Sequence, residues 1–99
     1  MTEQILRRQA TFPDLPAAAA SLIEPLLLEA AGQGAEPVSL TLDFGSPIRA
    51  GDSVVVEAGV DRATRTLVFA YGKLTTPEGL VVATGSAVFR RLTDITKAA

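Results

Sequence analysis

Ninety-nine residues with a formal net charge of −2, no cysteine and no histidine describe one modest domain, residues 1–99 read as a single unit. That charge excludes the clustered Lys and Arg that nucleic-acid binding requires. The missing Cys and His exclude disulfides, Ser-His-Asp or Cys-His catalysis and most transition-metal sites, so no metal or other cofactor is expected.

Hydrophobic residues make up 47% of the chain, and most are Ala, Val and Leu rather than aromatics. So small a body has much surface for its volume, so some of this apolar sequence should be covered by another copy, in a homodimer or a dimer of dimers. The amino terminus has no apolar signal core, and no apolar run reaches the roughly 18 residues of a membrane span. A cytoplasmic protein away from membranes is the expectation.

In chain order, residues 4–11 can form a first strand. Phe12-Pro13-Asp14-Leu15-Pro16 breaks it, because proline removes a donor and pushes the preceding residue away from helical dihedrals. Asp14 is a candidate N-cap for a helix over 17–31. Only Ser21, Glu24 and Glu29 interrupt the apolar character of that helix, which predicts burial on several sides. Glu24 and Glu29 lie roughly 140° apart around it, so they cannot share one solvent face. Pro25 inside the helix leaves the Ser21 carbonyl without its partner and predicts a kink near Glu24.

After Gly32-Gln33-Gly34 the period changes to two. Leu40, Leu42 and Phe44 alternate with Thr41 and Asp43, and Val54, Val56, Ala58 and Val60 with Ser53, Glu57 and Asp61. Gly51-Asp52 should form a tight turn with positive φ at the glycine. A turn at 63–65 leads into a strand over 66–75, and Thr76-Pro77-Glu78-Gly79 into a last strand over 80–92. Along that strand Ala83, Gly85 and Ala87 line one face, small enough to let a helix approach closely or simply tolerant of strand twist. The residues alone therefore predict an α+β domain: strand, helix, then a four-strand antiparallel meander.

Two stretches, LDFGSPIRAGDSVVVEAGV and GLVVATGSAVF, resemble the hotdog-fold superfamily, in particular acyl-CoA thioesterases of the phenylacetate-pathway type. Thr11-Phe12-Pro13-Asp14-Leu15-Pro16 is similar to the start of the helix in hydroxyacyl-carrier-protein dehydratases. The resemblance implies a curved antiparallel sheet wrapped around one buried helix, with an acyl-CoA or acyl-carrier thioester as ligand. Thioesterases of this kind carry His-Gly-Gly at the helix start and a carboxylate further along, which polarise and attack the thioester. By that comparison Glu24 takes the carboxylate position and the amides of Ala17 and Ala18 the oxyanion position. Here the turn reads Leu15-Pro16-Ala17, with neither His nor Gly. The dehydratase histidine is replaced by Thr11, which excludes that dehydration mechanism.

Glu24 is the leading catalytic candidate, since a carboxylate on an apolar helix is costly to bury without a purpose; the alternative is a residue at the kink or a subunit edge. Arg62 and Arg65 are candidates for a coenzyme A phosphate, because the planar guanidinium fork suits it. Solvated roles are the competing reading for them, as for Glu29, Asp43, Arg90 and Arg91. Tyr71, mid-strand, reads as core or interface. Two functional readings follow: an acyl-CoA thioesterase working through Glu24, or a non-catalytic hotdog module that binds an acyl group or dimerises.

Overall fold

The computed structural model describes residues 5–91; Gln4 of the expected first strand and Leu92 of the last lie outside them. The chain runs β1 (Ile5–Thr11), α1 (Ala18–Ala31), β2 (Ala35–Phe44), β3 (Ser53–Ala63), β4 (Leu67–Thr75) and β5 (Val81–Arg91). One five-stranded sheet is formed in the order β1-β3-β4-β5-β2, with every neighbouring pair antiparallel.

The elements match the reading from sequence, and the strand order corrects it. Only β3, β4 and β5 form a meander; β2 crosses to the far edge and pairs with β5 instead of β3. Residues 45–52 make that crossing, longer than the two to five residues of a hairpin. Pro37 within β2 fits an edge strand, where a missing ladder donor is tolerated. The crossing ends in the expected turn: Gly51 has φ 95°, and the Asp52 amide donates to the Arg49 carbonyl at 3.1 Å. The Asp52 carboxylate accepts from the Arg49 amide at 3.0 Å. The Gly51 amide donates to the Phe12 carbonyl, and the Phe12 amide to the Asp52 carbonyl, both at 2.8 Å, so this turn is tied to the segment leading into the helix.

Alternation decides the two faces of the sheet. Val54, Val56 and Ala58 of β3, Val68, Ala70 and Leu74 of β4, and Ala83, Ala87 and Phe89 of β5 are buried beneath α1. The helix contributes Ala19, Ile23, Leu26 and Leu27 to the same core, the i, i+4, i+7, i+8 spacing of a single apolar stripe. Gly72 and Gly85 face each other across β4 and β5 directly below it. A Cβ at Gly72 would lie 3.0 Å from Ile23 Cγ2, and one at Gly85 3.3 Å from the same atom. The small-residue row in β5 is therefore a seat for the helix.

Burial of α1 on several sides is not what this chain achieves. Ser21, Glu24, Pro25, Leu28 and Glu29 are exposed, because the sheet covers one side of the helix only. Proline does not end α1, which continues through Pro25 to Ala31. The sheet's other face is mixed: a polar row of cross-strand neighbours runs Arg7, Glu57, Lys73, Thr84, Asp43, with Arg7 paired to Glu57, and Val55, Phe69, Tyr71 and Val88 share that face. Among the described residues no helix is long and apolar enough to cross a membrane.

Candidate active site

The helix starts in an unusual way. Ala17 occupies the N-cap in the left-handed region, φ 57° and ψ 39°, and no side chain caps the helix. Asp14 is thus not the cap; it sits exposed in the bend three residues earlier. The Ala17 carbonyl accepts from the Ser21 amide at 3.0 Å, which closes the first turn. The first amides of a helix have no intrahelical acceptor, and they carry its partial positive charge. A left-handed alanine costs about 1–2 kcal/mol relative to ordinary backbone, so the surrounding packing holds this corner in place.

That corner borders a cleft of about 430 Å³. Its helix side is Ala17 to Ala20, its floor Leu42 and Val82, and its far wall Phe44 with the crossing residues Gly45 to Ile48; Phe12 closes the end. The crossing is therefore what builds the wall: β2 must reach the far edge, and the return path passes the start of α1. The lining contains no Asp, Glu, Lys or Arg. A cleft so lined favours an uncharged apolar group, with helix amides as its polar feature.

The sequence-selected residues are only partly gathered here. Ala17 and Ala18 line the cleft, and Ala18 is buried. Glu24 does not line it; it sits nearly two turns along on the exposed side of α1. Asp14 is also outside the lining. Arg62 and Arg65 are at the β3–β4 turn, roughly 30 Å from the cleft at about 3.3 Å per strand residue. Arg62 stacks over the Phe69 ring at 4.9 Å. Glu29 accepts from Arg8 at 2.7 Å, and Arg90 lies 3.7 Å from Glu36; these are ordinary surface pairs. Tyr71 is half-buried on the sheet face away from α1, opposite Gly59.

Sequence reasoning missed Phe12, Leu42, Phe44, Pro47 and Ile48 as cleft residues. They come from separate segments and look like core. The available signal was the length of the Gly-Ser-Pro segment, too long for a hairpin and hence a path across the molecule.

The family model described as thioesterase superfamily matches residues 17–83, from the helix start into β5. No curated protein matches the chain. Among solved structures, zebrafish thioesterase superfamily member 2 superposes with a TM-score of 0.78 at 18% identity, over 87% of this chain and 73% of that one. A mutant of the phenylacetic acid degradation protein PaaI from Thermus thermophilus gives 0.77 at 20% identity, over 91% and 85%. A Streptococcus mutans protein bound to acetyl-CoA gives 0.76 at 12% identity, over 87% and 79%. Among the described residues, the curved five-stranded sheet with its one helix is the hotdog fold.

Proposed function

Because the chain belongs to the thioesterase superfamily, we propose that it binds acyl thioesters of coenzyme A. The acyl group takes the cleft between Phe12, Leu42 and Phe44, and the thioester carbonyl meets the amides at Ala17 and Ala18. One observation carries this reading: an apolar cleft with uncapped helix amides at its wall. Apolar walls favour the acyl chain, and the amides favour a carbonyl oxygen that gains negative charge. Acetyl-CoA bound to the Streptococcus mutans neighbour supports the ligand class.

What happens to the bound thioester divides two readings. In the first the protein is a thioesterase, and Glu24 activates water or attacks the carbonyl. In the second it is an acyl-binding module without turnover. The uncharged cleft lining and the exposure of Glu24 within its own chain favour the second. For hydrolysis, a Glu24 carboxylate must come to the thioester from outside the cleft of its own chain. Assembly into a homodimer, or a dimer of dimers, is part of the proposal, supported by the unpaired apolar β2 edge.

Calorimetric titration with short, long and aromatic acyl-CoAs tests binding. Saturable binding that a Leu42→Asp substitution removes is expected, and no binding by the wild type sinks the proposal. Hydrolysis assays on the same panel then separate the readings. Turnover lost in Glu24→Gln with binding retained establishes the thioesterase; binding without turnover establishes the module.

A further inference from the structure

The cleft is short, and its two ends are closed by different means. Four residues of α1, Ala17 to Ala20, line it, which at 1.5 Å per residue is about 6 Å of helix. Leu42 and Phe44, two residues apart on β2, add about 7 Å of strand. With carbon–carbon bonds of about 1.5 Å, such a length takes an acyl chain of roughly five or six carbons. The volume of about 430 Å³ is ample by comparison, since a cavity of about 150 Å³ already holds a benzene ring. Length rather than width therefore sets the limit.

Toward the middle of the helix the core itself blocks the way. Leu42 Cδ2 and Ile23 Cγ2 lie 3.1 and 3.3 Å from the place that a Cβ on Gly85 would occupy. These two side chains fill the space over Gly85 through which the cleft would otherwise continue under α1. At the other end stands Phe12, half-buried and packed against the edge of the core. Its backbone is clamped: the Phe12 amide donates to the Asp52 carbonyl, and the Phe12 carbonyl accepts from the Gly51 amide, both at 2.8 Å. The far wall is anchored to β5, with the Gly45 amide on the Val82 carbonyl at 2.8 Å and the Ser46 amide on the Val81 carbonyl at 2.9 Å. The second anchor needs glycine beside it, because a Cβ on Gly45 would fall 2.5 Å from the Val81 carbonyl oxygen. With both walls fixed, an acyl group that outgrows the cleft meets a stop and not a wall that yields.

We infer that Phe12 is a length gauge, and that the ligands of this cleft are short acyl groups of up to about six carbons. The inference rests on the acyl-CoA reading above and narrows it to a substrate class. Ile23 is fully buried, so the stop it makes with Leu42 belongs to the core; Phe12 is the stop that can change without emptying the core. Each methylene buried between the apolar walls raises affinity about fourfold. Methylenes beyond Phe12 lie in water and raise it no further.

Calorimetry over the straight-chain series from acetyl-CoA to decanoyl-CoA tests it. For the wild type, affinity should climb about fourfold per methylene to about hexanoyl and then level off or fall. Phe12→Ala removes a six-carbon ring from the end of the cleft, so the break should move at least about two carbons longer. Phe12→Leu keeps an apolar side chain against the core and should move the break in the same direction by less. A wild-type climb that continues through decanoyl overturns the inference. So does a break that stays at one length in both variants, including a loss of affinity equal at every length, which is what a purely structural Phe12 produces. Either result leaves acyl-CoA binding itself intact, whereas a wild type that binds no member of the series overturns the functional reading and the gauge together.

Discussion

Single residues in this domain are constrained by two separable causes, backbone conformation and space. Gly51 has φ 95° and nothing within 4 Å of where a Cβ would sit, so only the backbone objects to a side chain. Gly51→Val should destabilise the protein by roughly 1–3 kcal/mol, read from the urea midpoint. Gly72 is the opposite case, since its missing Cβ leaves room for Ile23 Cγ2 at 3.0 Å and Leu27 Cδ2 at 3.3 Å. Gly72→Ala should overpack the seat of the helix and destabilise by about 1–3 kcal/mol. Ile23→Leu moves the branch away from Cβ, and combined with Gly72→Ala it should be less damaging than the sum, by at least about 0.5 kcal/mol. A strictly additive double mutant would show that the pair does not share this space. At this scale the sequence was informative: the Ala-Gly-Asp turn announced its role, because turns are local properties, whereas the Ala83-Gly85-Ala87 row was visible but left helix approach and strand twist as equal readings until Ile23 was seen above Gly85. Glu24 was misleading for a related reason. Its apolar neighbours in sequence suggested burial, yet Ile23, Leu26 and Leu27 turn inward while Glu24, Pro25 and Leu28 turn outward.

Elements follow from periodicity, and their arrangement does not. The alternation of β2 and β3 and the apolar stripe of α1 are legible along the chain, since each repeats within a few residues. The placement of β2 beside β5 depends on contacts between residues more than forty apart, such as Leu42 with Gly85, and the meander reading failed there. The cleft was hidden for the same reason, because no local pattern brings Phe12, Ala17, Leu42 and Ile48 together. Within α1, Pro25 is the element's weak point. It denies the Ser21 carbonyl its normal donor, and the Ser21 hydroxyl donates to the Ala18 carbonyl at 2.6 Å rather than relieving the break. Because Pro25 is exposed, replacing it removes little packing. Pro25→Ala should stabilise the protein by about 1–3 kcal/mol, a fraction of the penalty for proline inside a helix. An unchanged or lowered melting temperature would mean that proline at this position is needed to seat Ile23 and Leu27.

The whole molecule leaves apolar surface on the helix and along β2, with Ile5 exposed on β1 as well. Leu28 on the helix is 43% exposed, and Val38, Leu40 and Phe44 follow along β2. A dimer by multi-angle light scattering at micromolar concentration is expected. Leu40→Lys with Phe44→Asp should give monomers, as charges on an edge strand oppose pairing; a dimer that persists in this variant would locate the interface elsewhere. The two edges together also set how far association can proceed. Once two β2 strands have met, the sheet of the pair ends on both sides in β1, with Arg7 held against Glu57 and Arg8 against Glu29. In the proposed dimer the sheet would then stop growing at ten strands, because the charged β1 edges oppose further strand pairing; a dimer of dimers would have to meet through its faces, and a sheet that could have propagated as a filament would stay a finite object.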